Sequence, residues 1–73
     1  MAFHWTPARM DQLERAAREG RRVALSRRGT EFVVVARRLE LSGKGEKFVG
    51  FLSMTGREIV FELRHIESFE VLG

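Results

Sequence analysis

Five short apolar clusters follow a single helix-start signal, and this order limits the available folds more than any other feature of the chain. The clusters are Val23 to Leu25, Phe32 to Ala36, Phe48 to Leu52, Ile59 to Leu63 and Phe69 to Leu72. Each has the length of a strand, not a helix. The breaks between them contain Arg27-Arg28-Gly29, Ser42-Gly43-Lys44-Gly45 and Thr55-Gly56-Arg57, all turn-like. One helix and five strands joined by tight turns predict a mainly β chain in which the helix packs on a small, strongly bent antiparallel sheet.

At 73 residues the chain is expected to form one domain, with a core close to the smallest that holds a fold unaided. There is no cysteine, so neither a disulfide nor a Cys-based zinc site supplements packing, which fits a reducing compartment. Met1 to Thr6 show neither a basic leader with an apolar run nor a small-residue cleavage site, and no apolar stretch nears the roughly 18 residues of a membrane span. The expectation is a soluble cytoplasmic protein without a membrane partner.

Thr6-Pro7 starts the helix, because a threonine hydroxyl caps an orphan N–H and proline at the first helical position has no donor to lose. Trp5 and Met10 are spaced for a hydrophobic staple, and Met10, Leu13 and Ala17 continue an apolar stripe toward the sheet. Asp11 with Arg15 and Glu14 with Arg18 form acid-first pairs four apart, each contributing about 0.2–0.5 kcal/mol. Gly20 should end the helix in the left-handed conformation, giving a span of about 7–19.

Strands are expected at about 21–27, 31–41, 47–54, 58–64 and 68–72. Val23 and Leu25 alternate with polar neighbours, and Arg27-Arg28-Gly29 reads as a hairpin turn. In the second run Phe32, Val34 and Ala36 share one parity, while Val33, Val35, Leu39 and Leu41 share the other. A bulge or sharp bend near Ala36 to Arg38 reconciles the two and lets one long strand serve both halves of a barrel. The fold class therefore leans to an SH3-like or Sm-like barrel. Phe32, Phe51, Phe61 and Phe69 are assigned to the core, and Phe48, of opposite parity to Val49 and Phe51, is the one candidate for exposed stacking, although burial under the helix is its favoured reading. Ile59, Phe61 and Leu63 form the inward set of the fourth strand, and Arg64-His65-Ile66-Glu67 reads as a tight turn.

Little in the chain suggests catalysis. There is no Cys or Tyr, and the two histidines, His4 and His65, have no motif around them. No metal-ligand spacing such as His-x-x-x-His occurs, and Lys44 is followed by Gly45 and a strand, not by the Ser/Thr and helix of a phosphate-binding loop. A barrel this small fills its own interior, so no small-molecule substrate, cofactor, metal or catalytic residue is assigned. Gly43-Lys44-Gly45-Glu46 should be the most mobile segment.

Thirteen Lys and Arg against ten Asp and Glu give a net charge of +3, and eleven of the cations are Arg. Arginine binds phosphate bidentately and stacks on bases, although a GC-rich genome would also enrich it. The cations fall in three groups: Arg21 and Arg22 with Arg27 and Arg28, then Arg37 and Arg38, then Lys44 and Lys47. Merged into one rim they would bind RNA or DNA, diluted by Glu31, Glu40, Glu46 and Glu58 nearby in sequence. The second reading is a protein-interaction adaptor using the acidic helix edge, and self-association through an exposed edge strand fits either.

Asp11-Gln12-Leu13-Glu14-Arg15-Ala16, then Val23-Ala24-Leu25, Gly29 and finally Leu63-Arg64-His65-Ile66 resemble the Rho-binding antiterminator family over most of residues 11–72. The resemblance implies a helix on an Sm-like barrel that regulates transcription termination by occupying the RNA site of the Rho hexamer. Asp11 and Glu14 would then be partner-facing acids, with Arg64 in the closing segment. The chain departs from that pattern in lacking the Cys-Asp pair before the helix, in having His65 where the closing motif tends to have Asp, and in being basic.

Overall fold

The computed structural model describes residues 5–43 and 45–73, with the side chains of Leu41 and Ser42 left aside. The readings placed on His4 and Lys44 lie outside the described residues. Helix α1 spans Pro7–Glu19 and five strands follow: β1 Arg22–Arg27, β2 Thr30–Ser42, β3 Gly45–Leu52, β4 Arg57–Glu62 and β5 Ile66–Val71. A 3-10 turn, Leu63–His65, joins β4 to β5 in place of the expected turn at 64–67. Among the described residues no helix is long and apolar enough to cross a membrane.

Both ends of α1 are built from the local sequence. The Thr6 hydroxyl accepts the Arg9 N–H at 3.2 Å, and Gly20, at φ 67°, lets the Arg21 N–H reach back to the Ala16 carbonyl at 2.9 Å. This left-handed closure satisfies carbonyls that the last turn leaves orphaned. Leu13 and Ala16 are fully buried, with Met10 and Ala17 packed beside them. Trp5 anchors the start of the helix from the far end of the chain. Its indole N–H donates to the Leu63 carbonyl at 2.8 Å, and its ring stacks on Phe69 at 5.3 Å.

The sheet is antiparallel with strand order β4-β3-β2-β1-β5. Its middle strand β2 pairs with β1 along its first half and with β3 along its second, meeting at Val35, which lies opposite both Arg22 and Phe51. The register shifts between Ala36 and Arg38, so Arg37 is an extra residue. Val34 and Ala36 are buried and Leu39 packs against the core, so the bulge switches the inward parity at the place the β2 pattern requires.

Curvature is severe. In a flat sheet β1 and β4 would stand about 14 Å apart, three strand spacings. Yet the Arg27 guanidinium carbon of β1 lies 5.0 Å from the Phe61 ring centre of β4, and Phe32 meets Phe61 edge to face at 5.2 Å. The sheet nevertheless does not close into a barrel, because β4 and β5 do not pair. Leu63 and Ile66 bury their side chains at this junction, and the Leu63 carbonyl is taken by Trp5. Backbone that would have continued a ladder there is spent elsewhere.

Gly50 marks the tightest part of the bend. A Cβ at this position would lie 2.5 Å from Val34 Cγ2 and 2.8 Å from Val34 Cβ, and Val34 is itself buried. Phe48 and Phe61, both fully buried, stack at 6.2 Å beside it on the concave face. Phe48 is therefore buried, as the favoured reading of it had it, and is not a stacking platform. Phe51, expected in the core, lies on the opposite, convex face, because β3 carries Phe48, Gly50 and Leu52 inward.

Two stability outcomes follow from this packing. Gly50→Ala should destabilise the fold by about 1–3 kcal/mol, read as a lower urea midpoint at unchanged slope, since the added methyl has only Val34 to displace. Trp5→Phe, which keeps the ring on Phe69 but leaves the Leu63 carbonyl without its donor, should cost about 1 kcal/mol in the same experiment.

Candidate nucleic-acid interface

The convex face can be read row by row from the strand pairings. Its central row runs Arg22, Val35, Phe51, Glu58 across β1, β2, β3 and β4. Beside it lie Ala24 and Val33 on one side, and Arg38, Val49 and Val60 on the other. Beyond those, Lys47 stands between Glu40 and Glu62. Val49 in this set is fully buried, so the accessible apolar surface of the face is that of its flanking residues, with cations set beside it. Val33 is 55% exposed and Val60 49%, while Phe51 is half-buried.

The bulge supplies two of those cations. With one extra residue at this point, Arg37 and Arg38 both reach the convex side. Arg37 lies over the Phe51 ring at 4.6 Å, and Arg38 donates to Glu40 at 2.9 Å and reaches Glu58 at 3.5 Å. The hydrogen bond to Glu40, reinforced by Glu58, pushes the Arg38 guanidinium further up from its ordinary value, so it is a permanent cation. Phe51 therefore sits with Arg37 stacked on it, Arg22 two strands away in the same row and Arg38 on the adjacent row. Residue parity alone does not reveal this group. The turn between β3 and β4 does, because Leu52 opposite Arg57 fixes which β3 residues share a face with Phe61.

The expected single rim is divided. Arg21, Arg22, Arg37 and Arg38 gather around the bulge, where the Ala36 N–H donates to the Arg21 carbonyl at 2.8 Å. Arg21 is paired with Glu19 at 2.7 Å. Arg27 and Arg28 lie at the other end of β1, with Arg27 turned to the concave side over Phe32 and Phe61. Lys47 stands apart from both, flanked by carboxylates, and Lys44 lies outside the described residues.

The helix acids are already engaged. Asp11 pairs with Arg15 at 3.3 Å and Glu14 with Arg18 at 3.0 Å, both pairs largely exposed, and the exposed Arg64 pairs with the half-buried Glu62 at 3.1 Å. The helix edge consequently presents alternating charge instead of an acidic strip. Among the described residues no three His, Asp or Glu side chains converge as a metal site would require. No family model, curated protein or solved structure matches the chain.

Stacked and ion-paired arginines should behave differently on truncation. Arg37→Ala is expected to cost about 0.5–1 kcal/mol of unfolding free energy through the lost cation–π contact. Asp11→Asn, which removes a solvent-screened pair, should change it by less than about 0.5 kcal/mol. Parallel urea titrations of the two variants check both values.

Proposed function

We propose that this chain is a non-enzymatic module that binds single-stranded nucleic acid across the convex face of its sheet. The observation that carries the reading is Phe51, a half-buried ring on an otherwise polar-rimmed face, with Arg37 on it at 4.6 Å and Arg22 in the same cross-strand row. Sheet-face binders of single strands combine an aromatic platform with cations that follow the backbone. A duplex keeps its bases inside and can use only the cations, so it should bind more weakly. The mild net charge of +3 is consistent with a short footprint.

A second reading, a protein-interaction adaptor, is favoured by the exposure of Val33, Val60 and Leu72, since apolar surface of this kind commonly marks a protein interface. It is the reading under which the likeness to Rho-binding antiterminators would matter. The two make opposite demands on position 33. A lysine there adds a phosphate contact for nucleic acid but places a charge in the middle of an apolar contact with protein.

The test is fluorescence anisotropy of labelled single-stranded RNA and duplex DNA at 50 and 200 mM salt. A protein making about three phosphate contacts to a single strand loses roughly twenty-fold in affinity over that range. Arg22→Glu and Arg37→Glu should each weaken binding further, and Val33→Lys should strengthen it. Absence of binding at 50 mM salt overturns the nucleic-acid reading. Capture of a defined protein partner that Val33→Lys abolishes would replace it with the adaptor.

A further inference from the structure

At the open mouth of the curled sheet, away from the convex face, Arg27, Arg28, Thr30, Phe32, Glu62 and His65 line a cleft of about 400 Å³. The Arg27 guanidinium lies between two rings, 5.1 Å from Phe32 and 5.0 Å from Phe61. Stacking of this kind uses the faces of the group and leaves its N–H edges unspent. No hydrogen bond or ion pair engages the Arg27 guanidinium among the described residues, and the residue is partly exposed. A guanidinium carries five donors, and those of Arg27 stay open to solvent at the cleft, where an acceptor from outside can take them.

The surroundings favour an anion. The one carboxylate lining the cleft, Glu62, is held by Arg64 at 3.1 Å and by the His65 Nδ1 at 3.5 Å, so it does not neutralise Arg27 or Arg28. The Thr30 hydroxyl supplies a further donor at the rim. Glu67, on the adjacent strand, spends one carboxylate oxygen on the Gly29 N–H at 2.9 Å and the Ser26 hydroxyl at 3.3 Å, which fixes the turn that carries Arg28.

That turn gives an independent sign. Arg28 has φ 52° and Gly29 φ 76°, the two positive values of a type I′ hairpin turn. Asn, Asp or Gly is the usual first residue of such a turn, and a β-carbon bearing a long side chain is disfavoured there. An arginine held in this conformation at the lip of a cationic cleft is a local cost to folding with a gain in ligand contact.

We infer that this mouth is a binding site for the 5′-phosphate of a nucleotide, with Arg27 and Arg28 as its two guanidinium ligands and Thr30 and His65 at its edge. Its volume suits a single nucleotide, and the half-buried Phe32 ring offers the neighbouring base a contact. Two sources carry this phosphate, a free nucleotide and the end of a strand, and titration distinguishes them. The site is independent of the convex face, and either can fail without the other.

The experiment is a titration of the 15N-labelled full chain, followed by backbone and arginine side-chain NMR signals, with inorganic phosphate, adenosine 5′-monophosphate, adenosine, and an oligonucleotide with and without a 5′-phosphate. Saturable shifts are expected at Arg27, Arg28, Gly29 and His65 with inorganic phosphate, adenosine 5′-monophosphate and the 5′-phosphorylated oligonucleotide, and none with adenosine. Tighter binding of the mononucleotide than of the 5′-phosphorylated strand identifies a free nucleotide as the source, and the reverse order identifies a strand end. Arg28→Asn, a residue suited to φ above zero, should keep or raise the thermal midpoint while weakening phosphate binding about tenfold. Wild-type affinity in Arg28→Asn, shifts that spread without saturation over distant cations such as Arg57, or tighter binding of a phosphoserine peptide than of either nucleotide would overturn the assignment.

Discussion

Val34 and Gly50 share a space that only one side chain can fill. Val34 Cγ2 stands 2.5 Å from where a Cβ of residue 50 would be, so the glycine is a steric requirement of the bend. From that contact the rest follows. With the concave surface closed up at this point, β2 can turn the sheet through a single bulge, β1 comes to face β4, and Phe32, Phe48 and Phe61 meet as one aromatic cluster. Glycine in the interior of a strand ordinarily weakens it. Here the loss is offset by the burial of Phe48 and Phe61, with Phe32 packed against them, which a flatter sheet could not bring together.

The same curvature decides what the arginines do. A narrow sheet with no buried polar side chain among its described residues has nowhere inside to satisfy a guanidinium. Arg27, which shares the inward parity of Val23 and Leu25, is at the end of β1 and lies over the mouth ring faces without entering the core. Arg37, displaced outward by the bulge, lies on Phe51. Arg15, Arg18, Arg21 and Arg38 meet carboxylates at their own level of exposure, as surface pairs that contribute little to stability. Aromatic contact thus sets Arg27 and Arg37 apart from the ion-paired arginines, and it leaves their donors available.

Much of the architecture was legible because it rests on short-range rules. Thr6, Pro7 and Gly20 state the helix ends, Arg28-Gly29 states a hairpin, and the parity change in β2 requires the bulge found at Arg37. What was not legible depends on distance. Phe51 was placed on the wrong face, and Phe48 was left between two, because β3 is apolar on both sides and only the pairing of Leu52 with Arg57 across the Ser53 to Gly56 turn decides between them. Closure of the sheet could not be read from strand count, since it turns on where Leu63, Ile66 and the Trp5 indole go. The cationic rim failed as a unit for a simple reason: Arg22 and Arg27 are close in sequence, but at about 3.3 Å per residue their strand carries them some 17 Å apart.

Stacked arginines also change the cost of binding. An exposed guanidinium on a free stem loses rotamer freedom when it grips a phosphate, and that loss offsets much of the contact. Arg27 between Phe32 and Phe61, and Arg37 on Phe51, are already ordered by the fold. Their planes are set by rings that the core holds in place, so an incoming anion meets donors in fixed positions. A chain with only a modest excess of cations gains more from two such groups than from a larger number of mobile ones. On the proposed binding reading, Phe32, Phe51 and Phe61 would matter to recognition because they hold the arginines that would contact the anion.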